Sequence, residues 1–308
     1  MITVTLLGTA ATMPLPDRAL TSALLSFGGR SILFDCGEGT QSAARKAHVS
    51  LMKTDLIALT HYHGDHIFGL PGLLQTFACL GRTAPLWIAG PVGLESVLQS
   101  VLALSGPLPF SVHALSLSAG EYMLSDFLPG WSSRCSLTAF ATNHRVVSLG
   151  YRFYLSRPGA FHPEAAAALH IPQSLWHILQ GGNDVSLDDG RLISPDMVMG
   201  EERRGLSVVF SGDTAPCPAL TENAHDADLL ICDATYGSDD DAVHAALYGH
   251  CTFSQAARTA AEAQAKRLWL THYSQIMETP EDYLANASAL FPESVCAADG
   301  KSITLTYS

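Results

Sequence analysis

Five strand-like runs in this chain lead straight into a histidine or an aspartate, and any fold it adopts has to place those five ends. The run DLIALT (55–60) continues into HYHGDH, which carries His61, His63, Asp65 and His66. LTAFAT (137–142) is followed by Asn143-His144, and SVVFS (207–211) opens the turn Ser211-Gly212-Asp213-Thr214. DLLICD (228–233) closes on Asp233, and LWLT (268–271) leads into His272-Tyr273-Ser274. In α/β folds, binding groups gather at the C-terminal ends of strands. A core would not tolerate the HYHGDH cluster unpaired, and a surface turn has no need of it.

Strand signals at 2–7, 31–35, 55–60, 86–89, 137–142, 207–211, 228–233 and 268–271 alternate with helical patterns at 40–48, 92–104, 254–265 and 280–290. That order predicts an α/β layered fold. With 308 residues, 47% of them hydrophobic, the chain is long enough to bury a large core. No apolar run reaches the length of a membrane span. The opening MITVTLLGT reads as a strand rather than a leader, so a cytoplasmic chain with no membrane partner is expected. A net charge of −12 removes whole-molecule attraction for a polyanion. It leaves room for an enzyme acting on nucleic acid, because bound cations make the local charge of a site positive. Seven cysteines, scattered and without a CxxC pair, predict neither a disulfide framework nor a thiolate metal site.

Residues 156–206 stand apart. They hold Pro158, Pro163, Pro172, Pro195 and the glycines of QGGND, and little strand signal. The segment reads as an inserted, partly extended excursion from a single domain spanning 1–308. It is either a long surface loop or a substrate arm, and its length favours the arm.

The strand-end residues sort into two donor sets. His61, His63 and His144 with Asp213 make one; Asp65, His66 and His272 with the same Asp213 make the other. Gly64 lets one short loop turn between the two. Imidazole and carboxylate without thiolate suit Zn2+, with Mn2+ or Fe2+ as alternatives. A shared Asp213 would hold two ions roughly 3.5–4 Å apart, the spacing at which metal pairs cleave phosphoesters and bring a shared water's pKa near neutrality. Taken singly, His144 or His272 is an ordinary histidine and SGDT an ordinary turn. HxHxDH rarely arises from packing alone, and three further ligands follow in strand context. His48, His113, His162, His170, His177, His225 and His244 lack such context.

HYHGDH…NH…SGDT…THYS resembles the metallo-β-lactamase fold, a four-layer αβ/βα sandwich with metals at one edge. LFDCGEGTQ, HGDHIFGLPGLL, LDDGRLISPDMV, RRGLSVVFSGDT, GHCTFSQAA and LWLTHYS, in that order, are similar to the ribonuclease Z family of tRNA 3′-processing endonucleases. The resemblance implies two Zn2+ per chain and a hydrolase that cuts the 3′ trailer from precursor tRNA by metal-activated hydroxide. It implies Asp65 as proton acceptor, His250 of GHCT at the scissile phosphate or the leaving oxygen, and Asp233 orienting His250. It further implies that Asp35 braces the metal loop, that residues 156–206 form the arm gripping tRNA, and that the chain pairs as a homodimer.

Three departures from the family pattern bear on substrate. The opening loop PLPDR offers only Arg18. HYSQIMETP has no arginine after the last metal histidine. The arm has no Gly-Pro step and no lysine, and offers Trp176 and His177 as stacking groups or apolar anchors. Tight tRNA binding owes much to phosphate neutralisation by Lys and Arg. A hydrolase of a small phosphodiester or other ester is therefore the second reading. A non-catalytic nucleic-acid scaffold is the third, and the filled ligand positions speak against it.

Overall fold

A computed structural model describes residues 1–307. In chain order the strands are β1 (Ile2–Gly8), β2 (Ser22–Phe27), β3 (Arg30–Phe34), β4 (Thr54–Ala58), β5 (Leu86–Gly90), β6 (Val112–Ser116), β7 (Gly120–Met123) and β8 (Cys135–Ala141). They continue as β9 (Leu149–Arg157), β10 (Val185–Ser186), β11 (Leu192–Ile193), β12 (Arg203–Phe210), β13 (Leu229–Asp233), β14 (Leu268–Thr271), β15 (Ser294–Cys296) and β16 (Ser302–Leu305). The helices are α1 (Thr40–Lys46), α2 (Gly64–Ile67), α3 (Leu70–Cys79), α4 (Leu94–Ser105), α5 (Pro163–Ala168), α6 (Gln173–Gln180), α7 (Pro218–Asn223), α8 (Ala242–Tyr248), α9 (Phe253–Glu262) and α10 (Leu284–Ser288). No helix among the described residues is long and apolar enough to cross a membrane.

The chain divides into two compact units, residues 1–154 with 207–307 and residues 155–206. The larger unit holds two seven-stranded sheets, ordered β16-β1-β2-β3-β4-β5-β6 and β15-β14-β13-β12-β9-β8-β7. β3 to β6 run parallel, as do β12 to β15. The parallel strands β4 and β13 read as continuous apolar runs because both of their faces are covered. Phe34 of β3 packs against Tyr151 of β9 and Phe210 of β12, with ring centroids 5.9 and 5.6 Å apart, so the two sheets face each other. Tyr151 Oη donates to Leu59 O across the same seam (2.6 Å).

Helices cover the outer faces. On α3, Leu70, Leu73, Leu74 and Phe77 recur at helical spacing and bury into the first sheet's core with α1 and α4. On α9, Phe253, Ala256, Ala257 and Ala260 bury into the second sheet's core. Its start is set by a capping box: the Thr252 hydroxyl accepts from Gln255 N while the Gln255 side chain accepts from Thr252 N. The arrangement is the αβ/βα sandwich of the metallo-β-lactamase fold.

The smaller unit is not extended. It contains α5, α6 and the two-residue hairpin β10–β11 around its own core of Ala166, Ile171, Leu179, Val185, Ile193 and Val198. Two of its prolines mark helix starts, Pro163 in the first turn of α5 and Pro172 just before α6. Trp176 is an anchor: its indole N–H donates to Ile171 O (3.0 Å) and its ring packs on Phe161.

Candidate metal centre

The five strand ends meet at one edge of the sandwich. His61, His63, Asp65 and His66 follow β4, His144 follows β8, Asp213 follows β12 and His272 follows β14. The loop after β8 is tied to the Asp213 turn. Ala215 N donates to Asn143 O, Asn143 N to the Thr214 hydroxyl, and the Thr142 hydroxyl to Asp213 O. Asp35 and His272 hold left-handed backbone (φ 54° and 63°), a strain that persists where surrounding structure over-determines a site. Gly212 also has positive φ (58°), and a Cβ there would lie 2.7 Å from the Thr60 side chain.

His61, His63, His144 and Asp213 present donor atoms within one cluster, and Asp65, His66 and His272 form a second. His61 Nε2 lies 2.8 Å from His63 Nδ1, and His144 Nε2 lies 3.3 Å from the same atom. Asp213 Oδ2 is 3.7 and 3.9 Å from the Nε2 atoms of His61 and His144. Its other oxygen, Oδ1, is 3.2 Å from both His66 Nε2 and His272 Nε2. Asp65 Oδ2 is 3.7 Å from His66 Nε2 and 3.5 Å from His272 Nε2. Four donors at about 2.0–2.1 Å from a tetrahedral cation are separated by about 3.4 Å. The two sets bracket that value, and Asp213 turns one oxygen to each.

Among the described residues, buried His66 Nε2, His272 Nε2 and Asp213 Oδ1 have no hydrogen-bond partner. Buried polar atoms of this kind are costly unless something satisfies them, and a divalent cation bound among them does so. The donor set therefore fits a metal pair.

The groups behind the ligands select which nitrogen faces inward. The buried Asp35 carboxylate accepts from Thr60 N, the Thr60 hydroxyl and His66 Nδ1 (2.8, 2.9 and 2.7 Å). The Thr60 hydroxyl in turn accepts from His61 Nδ1 (3.0 Å). On the other side, Asp233 accepts from Thr214 N, Thr235 N, the Thr235 hydroxyl and His250 Nδ1 (2.7 Å for the last). The Thr235 hydroxyl accepts from His272 Nδ1 (2.9 Å). His144 Nδ1 donates to Gly249 O (2.9 Å). In each case Nδ1 is held from behind and Nε2 faces the cluster. Asp233, although near Asp213, His250 and His272, has both oxygens engaged and acts as their support.

Electrostatics divide the two sets. Burial pushes His61 well below the ordinary histidine value, with His66 adding to it, and burial also lowers His63 and His144. These three are neutral and ready to ligate. For His66 burial is outweighed by Asp213 and Asp35, which hold the ring well above its ordinary value. Burial would raise Asp213, but His272, His66 and His61 hold it well below the usual carboxylate range. Burial likewise opposes ionisation of Asp65, and His272 and His66 overcome it. His250 is lowered by burial, yet Asp233 brings it up to about 9.

The ligand residues open on a cleft of about 600 Å³, lined also by Thr12, Phe68, Arg145, Tyr248 and His250. Sequence reasoning passed over Thr60, Thr235, Gly249, Arg145 and Tyr248. Thr60-His61-Tyr62 recurs as Thr271-His272-Tyr273, yet only Thr60 holds the histidine that follows it; His272 is held by Thr235. Gly249 has φ 74°, and a Cβ on it would sit 2.9 Å from His144 Nδ1. Among the described residues, the seven histidines set aside on sequence join no donor cluster.

The metallo-beta-lactamase superfamily profile matches residues 16–228, and a beta-lactamase superfamily domain profile matches residues 196–273. A ribonuclease Z of Lachnospira eligens is 41% identical over 307 residues, covering 100% of this chain and 99% of the relative. A ribonuclease Z of Clostridium tetani is 36% identical at the same coverage. The crystal structure of human tRNase Z, short form, superposes with a TM-score of 0.68 at 27% identity, covering 99% of this chain and 100% of the other. A sandwich with its donors at one strand edge, and full-length relatives at these identities, lead to one conclusion: the chain belongs to the ribonuclease Z family of the metallo-β-lactamase superfamily.

Proposed function

We propose that the protein is a tRNA 3′-processing endoribonuclease that uses two Zn2+ and removes the 3′ trailer from precursor tRNA. The observation that carries the reading is the double donor set sharing Asp213, in a chain alike along its whole length to ribonucleases Z. His61, His63 and His144 would hold one cation, Asp65, His66 and His272 the other, with Asp213 between them. When bound, the pair supplies an acidified water and charge stabilisation at the phosphate.

The chain's own residues do the rest. His250 Nδ1–H is held by Asp233 at 2.7 Å, which aims Nε2 at the cleft. Asp233 raises the pKa of the ring and so favours the protonated form, which gives a proton to the leaving 3′-oxygen. Asp65, fixed by Thr12 N at 2.8 Å, stays ionised and accepts a proton from the attacking water. The tucked-in Asp35 and Asp233 keep the ligand rings from turning.

The compact unit 155–206 would be the substrate arm, serving the site of a partner subunit in a homodimer. Seven free cysteines accord with work in a reducing cytoplasm. One observation favours the small-ester reading: residues 156–206 carry four arginines, no lysine and seven carboxylates. Cleavage of a precursor tRNA with a 3′ trailer, beside that of a chromogenic phosphodiester, separates the two. A cut just after the discriminator nucleotide supports tRNA processing. Turnover of the small ester with precursor tRNA untouched refutes it.

A further inference from the structure

We propose that Arg145, seated on Tyr248, binds a backbone phosphate of the RNA next to the one being cleaved. The inference rests on the reading of the site as a tRNA-processing centre and names the group that holds its substrate.

Among the described residues, Arg145 is the one lysine or arginine lining the metal cleft. It directly follows His144, whose ring is pinned to Gly249 O, so its backbone is anchored beside the donor cluster. Its guanidinium carbon lies 5.2 Å over the Tyr248 ring. Tyr248 ends α8 two residues before His250, and a row of rings joins them: Tyr248 to His244 at 4.7 Å, His244 to Tyr236 at 5.5 Å, Tyr236 to His250 at 6.4 Å. Stacking holds a guanidinium by its face and leaves its N–H edge free for a phosphate fork. Among the described residues that edge meets no acceptor or carboxylate, and Arg145 is exposed.

The other cation near the site is spent. Arg18 donates to Met277 O and Glu278 O and lies over the Tyr273 ring, so its donors serve the fold. With no arginine after His272 in HYSQIMETP and no lysine in residues 156–206, Arg145 is the cation placed to neutralise an RNA phosphate at the centre.

The test compares Arg145→Ala, Arg145→Lys and Tyr248→Leu with the wild type, and with Arg258→Ala as an equal loss of surface charge on α9. Steady-state cleavage of precursor tRNA across a salt series gives KM, kcat and the salt slope. Fluorescence anisotropy gives the affinity for mature tRNA, and metal analysis accompanies each protein. Arg145→Ala should raise KM and weaken tRNA binding roughly tenfold, with the slope of log affinity on log salt reduced by about 1. Arg145→Lys should recover part of this, Tyr248→Leu should fall between, and Arg258→Ala should match the wild type. KM, affinity and slope unchanged in Arg145→Ala overturn the proposal. So does a loss of metal in that variant, which would assign Arg145 to supporting His144. A wild-type protein that neither cuts nor binds tRNA overturns the functional reading itself, and that failure is read on the unmutated chain.

Discussion

At the residue scale the site is an exercise in fixing tautomers. Two buried aspartates, each working partly through a threonine, decide which nitrogen of His61, His66, His250 and His272 faces the cleft. Such supports typically change metal affinity by 10–100-fold when removed, so Asp35→Asn and Thr235→Val should weaken Zn2+ binding by that order in a competition titration with a chromogenic chelator. The His250–Asp233 pair has a signed pH consequence. A general acid works while protonated, so the rate should fall as pH rises past the His250 pKa, which the metal-free fold places at about 9. Two cations bound at the donor cluster would disfavour the imidazolium and pull that limb lower. Asp233→Asn removes the group that raises it, and the alkaline limb of the pH–rate profile should move to lower pH still. His250→Ala should keep both metals and lose about 10²–10⁴ in rate. The cluster of donor residues was legible in the sequence because HxHxDH is dense and each further donor follows a strand. Arg145 and Gly249 were not, because their roles come from neighbours roughly a hundred residues away.

At the element scale, short apolar runs were the easiest strands to read, although the largely buried β2 and β9 were missed. β4, β13 and β14 announce themselves as apolar runs, whereas β6 and β7, with exposed positions, were missed. Within residues 156–206 the helices went unread, because Pro163 and Pro172 stand at the starts of short helices that close around a small core of their own. α9 carries the clearest local stop–start signal, and its hydroxyl cap also donates to Asp239. Thr252→Ala should destabilise the fold by about 1 kcal/mol, read as a lower urea midpoint with an unchanged slope. Since His250 lies only two residues before that cap, the same variant should also lower kcat.

At the scale of the whole molecule, a net charge of −12 means that attraction for RNA has to be local. A metal pair bound at the donor cluster would make the charge there positive. Metal binding and protons are linked: His66 is held well above its ordinary pKa, so a cation in its set must displace a proton. Affinity for the second cation should therefore rise with pH and fall in acid, measurable by titration at several pH values. Removing the metals leaves buried, unpartnered nitrogen and oxygen atoms at the sheet edge. Chelation should accordingly lower the melting temperature, and Zn2+ at a hundred times its Kd should restore about 2.7 kcal/mol.

The central claim is that one carboxylate, Asp213, joins two cations into the unit that cuts precursor tRNA. The direct measurement is a titration of metal-free protein with Zn2+, following cleavage of a precursor tRNA bearing a 3′ trailer, for wild type and Asp213→Ala. The account predicts that full activity arrives only with about two equivalents in the wild type, and that Asp213→Ala binds neither ion tightly and does not cut. Full activity at one equivalent, or an Asp213→Ala protein that keeps two metals and cuts normally, would contradict it.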